Sequence, residues 1–148
     1  MAVAYEEIFK KRYYKRKLGQ HYPGAFTISL ILVFTMSCLF WGLKLTSFYS
    51  SSVAMIITFS CMAYFRRDLL FNALLSGILM ALISLVFYFP IIIFSPEWVG
   101  KTYLFETLSG IMIVGIPAEE LVFWFLAGLV FGPFYEYWQG ERLRITKK

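Results

Sequence analysis

The stretch GIPAEELVFWF, residues 115–125, sets two adjacent carboxylates just after a proline inside an otherwise apolar run. Hydrocarbon offers an ionised carboxylate no water, so acids within a membrane span are costly and usually face a bundle interior, where they serve a function. The stretch therefore predicts a membrane protein whose helices hold Glu119 and Glu120 at membrane depth.

The composition of the whole chain agrees with a membrane location. The 148 residues are 59% hydrophobic and 20% aromatic, and the mean hydropathy is +0.68. One small soluble core cannot hide so much apolar surface, so we expect an all-α, polytopic membrane helical bundle forming a single domain over residues 1–148. Two cysteines and one histidine without ligand spacing predict neither a metal nor a cofactor.

The apolar runs predict about four transmembrane helices, because the bilayer core needs about 20 residues per span. The first three cover residues 26–45, residues 51–65 with Phe48 and Tyr49 as an extension, and residues 69–94. A single helix over residues 103–138 would be about 54 Å long, nearly twice the core thickness. We therefore expect an approach segment over 106–116 and a break at Pro117, which suits the first position of a helix that runs to Trp138.

Charge counting predicts the orientation. Twelve of the fourteen Lys and Arg residues fall on one side of a four-span topology, in the basic tails 1–23 and 139–148 and at Arg66-Arg67. The positive-inside rule then places both termini in the cytoplasm of a multi-pass cell-membrane protein. The net charge of +5 is explained by this arrangement, so no nucleic-acid partner is expected. The N-terminal tail reads equally well as an interfacial helix or a solvated tail.

The acid pair has the pattern of a general acid and base. In the first turn of a helix opened by Pro117, free N–H groups and the helix dipole stabilise one of Glu119 and Glu120 as an anion. The other, close to this charge and poorly solvated, is expected to stay protonated near neutrality. A protonated acid beside an ionised one suits proton-transfer catalysis.

Further residues around the pair are candidates with two interpretations each. The aromatic stripe that shares the face of Glu120 serves either packing in lipid or the shelter of a cation, and with Pro117 it forms the candidate substrate-binding set: Phe123, Trp124, Ala127 and Phe131. Glu136 and Glu106 are either solvated at opposite interfaces or auxiliary acids. Gly128 and Gly132 form a GxxxG motif, which permits close helix approach within the chain or between chains.

The segment Gly115-Ile116-Pro117-Ala118-Glu119-Glu120, followed by Phe123 and Phe125, resembles the Pro-x-Glu-Glu motif of the lycopene cyclase domain family. Its members are membrane carotenoid cyclases that occur as paired small subunits or as fused domains. The resemblance implies an intramolecular lyase or isomerase that closes the end of a linear carotene into a ring without redox change. It also implies that Glu119 and Glu120 are catalytic, that the ligand is a long-chain carotenoid or other isoprenoid lipid, and that the chain works as a homo- or hetero-oligomer.

Two alternatives remain beside this interpretation. The Pro-Trp-Asp and Trp-Tyr-Asp segments common in the family lack their aspartates here, where Pro90 precedes Ile91-Ile92 and the other segment reads PEW, residues 96–98. That departure favours a non-catalytic small membrane subunit, or an isoprenoid-binding protein, that uses the acid pair for assembly. A CAAX-protease-like enzyme is disfavoured, because such enzymes need an arginine after the pair and histidines on other spans, and the only histidine is His21.

Overall fold

The computed structural model describes residues 13–17, 22–95, 97, 109–139 and 141–145. Its main elements are helices, with the following bounds: α1 Tyr22–Ser37, α2 Ser47–Phe65, α3 Leu70–Phe94, α4 Ala118–Phe131 and α5 Phe134–Gln139. A π-helical turn, Cys38–Gly42, prolongs α1, and a 3-10 turn, Arg67–Leu69, joins α2 to α3. The short strands are β1 Tyr13–Lys17, β2 Met112–Ile113, β3 Ile116–Pro117 and β4 Glu141–Ile145.

Four helical segments of the described chain are long and apolar enough to cross a membrane. They are Gly24–Gly42, Ser47–Phe65, Arg67–Phe94 and Ala118–Trp138. The prediction of an all-α bundle with about four such helices is therefore confirmed.

The core lies where α3 and α4 pack along each other, with α2 beside them and α1 against α2. Its buried side chains come from α2, α3 and α4: Met55, Ala73, Leu126, Ala127, Leu129 and Val130. The GxxxG motif serves this packing within the chain. A Cβ added to Gly128 would lie 2.6 Å from the carbonyl oxygen of Ser76 and 2.7 Å from Cα of Gly77, so the α3 and α4 backbones touch at this point.

The predicted break at Pro117 is confirmed, and a hairpin precedes it. Strands β2 and β3 pair antiparallel through a two-residue turn at Val114 and Gly115, whose φ angles are +53° and +81°. Positive φ at both central positions is what a tight type I′ hairpin turn requires. Pro117 then ends β3, and α4 begins at Ala118.

The predicted helix from Pro117 to about Trp138 is confirmed as the helical segment Ala118–Trp138, with one interruption. Gly132 and Pro133 form a turn that separates α4 from α5. Because proline has no N–H and clashes with the preceding turn, the i to i−4 ladder cannot run through Pro133 undisturbed. The carbonyl of Pro133 accepts a hydrogen bond from the N–H of Tyr137 at 2.9 Å, which starts α5.

The described strands of the two tails, β1 and β4, form an antiparallel ribbon. Strand β1 pairs with β4 over five residues each, from Tyr13 opposite Ile145 to Lys17 opposite Glu141. The interfacial helix considered for the N-terminal tail is thus wrong over residues 13–17. Because β4 also contacts the 3-10 turn, the fold gathers the three basic segments at one end of the bundle.

Candidate active site

Glu119 lies in the first turn of α4 and is buried, with 8% of its surface exposed. Its Oε1 accepts a hydrogen bond from the backbone N–H of Ser109 at 2.5 Å, which ties the segment before the hairpin to the start of the helix. Its Oε2 is buried and has no hydrogen-bond partner among the described residues. One oxygen of this carboxyl is therefore fixed, and the other is enclosed without a donor from the described part of the chain.

Glu120 is half-buried and faces α3. Its Oε1 accepts two hydrogen bonds, one from the hydroxyl of Tyr88 on α3 and one from Nε1 of Trp124, one turn further along α4, at 3.1 Å. The two acids of the motif are thus held by different groups. Since side chains at adjacent helix positions diverge by about 100°, Glu119 meets the hairpin side of the bundle and Glu120 meets α3.

A pocket of about 480 Å³ lies beside the donors of Glu120. It is walled by one side of α3 and by a single residue of α4: Met80, Ile83, Ser84, Phe87, Tyr88, Ile91 and Trp124. Its volume falls within the range of roughly 300–1,000 Å³ that is usual for small-molecule sites. Both residues that donate to Glu120 are part of its wall, so Glu120 lies directly beside the wall of the pocket.

The polar groups of the pocket wall donate their hydrogen bonds to protein acceptors rather than into the pocket. The Ser84 hydroxyl donates to the carbonyl of Ala81 at 2.7 Å, and Tyr88 and Trp124 donate to Glu120. What remains toward the pocket is hydrocarbon and aromatic surface. Such a lining suits an apolar ligand, because a polar ligand group would lose its water without gaining a partner.

The other candidate binding residues fall in three environments. Trp124 lines the pocket, and its ring meets that of Phe123 edge-on with centroids 5.7 Å apart. Phe123 packs against the core and Ala127 is part of it, while Pro117 is fully buried at the end of β3. Phe131 is 60% exposed on the outer face of α4. Of this set, the structure brings only Trp124 to the pocket.

Of the two auxiliary candidates, the structure describes Glu136. Glu136, on α5, is 8% exposed, so its interpretation as a solvated interfacial residue is wrong, and it does not line the pocket beside Glu120. The side chain is buried rather than solvated because α5 packs against α1. Glu106 lies outside the described residues.

Tyr88 and Ser109, which bind the acid pair, are not predicted as its partners by any pattern in the sequence. A phenol in an apolar span does carry a signal, because a buried tyrosine hydroxyl normally finds an acceptor. Tyr88 is nevertheless 32 residues from Glu120, and nothing local to either residue indicates the pairing. Ser109 contributes its backbone N–H, which any residue but proline would supply.

Comparison with known proteins agrees with the motif. The family model described as "Lycopene cyclase" matches residues 46–138, which is more than half of the chain and includes α2 to α4, the acid pair and the pocket. The chain belongs to the lycopene cyclase family. No curated protein and no solved structure matches it. Membership in the lycopene cyclase family, together with four apolar helices, makes this a membrane protein with a carotenoid cyclase-type role.

Proposed function

We propose that this chain catalyses the acid-initiated, redox-neutral cyclisation of the end of a linear carotene, with Glu119 and Glu120 as the proton donor and acceptor. The main support for the proposal is the placement of the motif at the start of α4: Glu119 is buried, and the half-buried Glu120 is held by two residues that line an apolar pocket. Family membership supports the same reaction class.

The reaction adds one proton to the carotene and removes one, and it needs no oxidant or reductant. One carboxyl gives its proton to the terminal alkene, so an O–H bond breaks, a C–H bond forms and a tertiary cation results. A second double bond of the chain attacks that cation, which forms the C–C bond that closes a six-membered ring. The other carboxyl then removes a proton from the carbon next to the new cation, so the ring alkene forms and the product is an isomer of the substrate.

The pocket wall supports the cationic stage of this reaction. Ring faces attract positive charge, by more where water is excluded, and Phe87, Tyr88 and Trp124 supply three aromatic rings. The wall residues that the structure describes direct no polar group into the pocket, which gives water no anchor there and protects a carbocation from capture. An intermediate that would add water in bulk solvent is thereby given time to lose a proton and form the ring alkene.

The test is expression in cells that make linear carotene, together with any membrane protein encoded beside this one, followed by analysis of the pigments. The unmodified chain is expected to yield cyclised product. Glu119→Gln and Glu120→Gln keep the size of each side chain but remove its ability to exchange a proton, so each is expected to lower product by at least about 100-fold at equal protein level.

Glu97→Gln is the matched control, because the same chemical change is then made at an exposed turn after α3. It is expected to leave product formation intact. If the unmodified chain with every encoded partner gives no cyclised pigment, the chain is a non-catalytic subunit or an isoprenoid-binding protein, and the proposal is rejected.

A further inference from the structure

The two oxygens of Glu120 have different surroundings. Oε1 accepts both the Tyr88 and the Trp124 hydrogen bond, whereas Oε2 has no hydrogen bond to any of the described residues. The side chain is half-buried, so Oε2 is not enclosed as the second oxygen of Glu119 is. The carboxyl is therefore held by one oxygen, and the other remains available for proton exchange.

The two donors reach Oε1 from different elements. Trp124 lies four residues after Glu120 on the same helix, and Tyr88 comes from α3 across the helix interface. A glutamate side chain has three rotatable bonds, and a single donor on its own helix would leave several rotamers open. Donors on two packed helices restrict the carboxylate to one orientation relative to the pocket wall.

The same two donors face the pocket. Tyr88 and Trp124 are wall residues, so a ligand that fills the pocket lies against the rings whose polar ends hold Glu120. Hydrogen bonding to Glu120 and contact with the ligand are thus combined in each side chain. A polar residue that only needed a hydrogen-bond acceptor within an apolar helix would not also have to bind an acid of the motif and line the pocket.

We propose that Tyr88 is a positioning residue that, with Trp124, fixes Oε1 of Glu120 and leaves Oε2 as the oxygen that exchanges a proton with the substrate. The proposal rests on the cyclase function and assigns within it a residue outside the Pro-x-Glu-Glu motif. In this arrangement Tyr88 acts through Glu120, while its ring contributes to the wall of the binding pocket.

A double-mutant cycle tests the positioning role. Tyr88→Phe removes the hydroxyl and keeps the ring, so kcat is expected to fall by about 100-fold, as for the loss of one preorganised donor, while KM changes less than about 2-fold. In a Glu120→Gln background the same change is expected to cost no further activity, because residues that act as a unit are not additive. Trp124→Phe is expected to behave in the same way, and it serves as the second variant if Tyr88→Phe fails to fold.

Tyr64→Phe is the matched control, since Tyr64 is exposed on α2, away from the pocket, and loses the same hydroxyl. It is expected to leave kcat unchanged. Positioning by Tyr88 is overturned if Tyr88→Phe keeps full kcat, or if it lowers activity as much in the Glu120→Gln background as in the unmodified chain.

Infrared spectroscopy of the full chain in a bilayer disc separates this inference from the cyclase function. Tyr88→Phe is expected to shift a carboxyl or carboxylate band that Glu120→Gln removes, and Tyr64→Phe is expected to leave that band in place. Identical spectra for the two tyrosine variants would refute the hydrogen bond itself. If the band shifts but the unmodified chain forms no ring, the hydrogen bond stands and its role in proton exchange is rejected along with the cyclase function.

Discussion

At the scale of single residues, the adjacent acids of the motif are given unlike environments by the fold. Glu119 is buried and held by the N–H of Ser109, whereas Glu120 is half-buried and held by donors from two helices. Two equal carboxyls in equal surroundings would compete for the same proton. Proteins give neighbouring carboxyls separate acid and base roles by placing them in different surroundings.

The pocket gives a prediction at this scale. Ile83→Trp adds bulk at a wall position and is expected to lower cyclised product on the order of 10-fold, because a filled hydrophobic pocket discriminates by size to about that degree. The measurement is product per unit of membrane-inserted protein. Ile78→Trp is the control, since Ile78 is exposed on the same helix and does not line the pocket. Equal product from both variants would show that the ligand lies elsewhere.

The hairpin turn gives a second prediction. Val114 is exposed and has a φ of +53°, which costs an L-residue about 1–2 kcal/mol and is least tolerated by a β-branched side chain. Val114→Asn would produce an Asn-Gly turn, the preferred sequence for this geometry. We expect the free energy of unfolding in mild detergent to rise by about 1 kcal/mol. Val53→Asn is the control at an exposed helical position, where no gain is expected, and an unchanged or lower stability for Val114→Asn would contradict the turn geometry.

At the scale of elements, the crossing of α3 and α4 positions Glu120 against Tyr88 and forms the pocket. Glycine permits that crossing, because backbone atoms of Ser76 and Gly77 occupy the space that a side chain at Gly128 would need. The site therefore depends on small residues one to three turns away from it. A change at the crossing is expected to move the donor away from the acid.

Gly128→Ala tests this dependence. The added Cβ would lie within 2.6–2.9 Å of backbone atoms, so the helices must separate, and we expect a loss of about 1–3 kcal/mol in stability together with reduced cyclisation. Thermal unfolding in detergent and pigment analysis are the measurements. Gly42→Ala is the matched control, because no atom lies within 4 Å of its added Cβ. Should both variants unfold at the same temperature, the close crossing is wrong.

The sequence predicts the helices better than it predicts the contacts between them. The apolar runs and Pro117 predict the spans and the start of α4 because each signal is local to the residues concerned. Pro133 carries an equally local signal, but an apolar run that continues on both sides conceals the turn. The pairing of Tyr88 with Glu120 and the close approach of Gly128 to α3 depend on how two distant helices cross, which one sequence does not contain.

At the scale of the whole molecule, the ribbon joins the two tails at the end of the bundle that also holds the α2–α3 turn. The sequence places most of its basic residues in these three segments, so the fold and the charge pattern agree on which ends lie together. The pairing of β1 with β4 was not predicted, because it joins residues more than 120 positions apart and charged tails carry no strand periodicity. We propose a single membrane domain over 1–148 with both tails in the cytoplasm, as the positive-inside rule implies.

Reporter fusions test that orientation. Alkaline phosphatase, which is active only outside the cytoplasm, is expected to be active when fused after Glu97 and inactive when fused after Ile145. Green fluorescent protein at the same two positions serves as the control and is expected to give the opposite result. Activity of the phosphatase only after Ile145 would reverse the proposed orientation, and activity at both positions would contradict a membrane crossing between the two fusion sites.

Acid initiation requires that a carboxyl beside the pocket delivers a proton that stays in the product. To test this, membranes containing the unmodified chain carry out the cyclisation in deuterium oxide, and the mass of the pigment is measured. One deuterium is expected for each ring closed, because the proton that is added comes from an exchangeable acid and the proton that is removed leaves a different carbon. Cyclised product without deuterium would contradict acid initiation by Glu119 or Glu120.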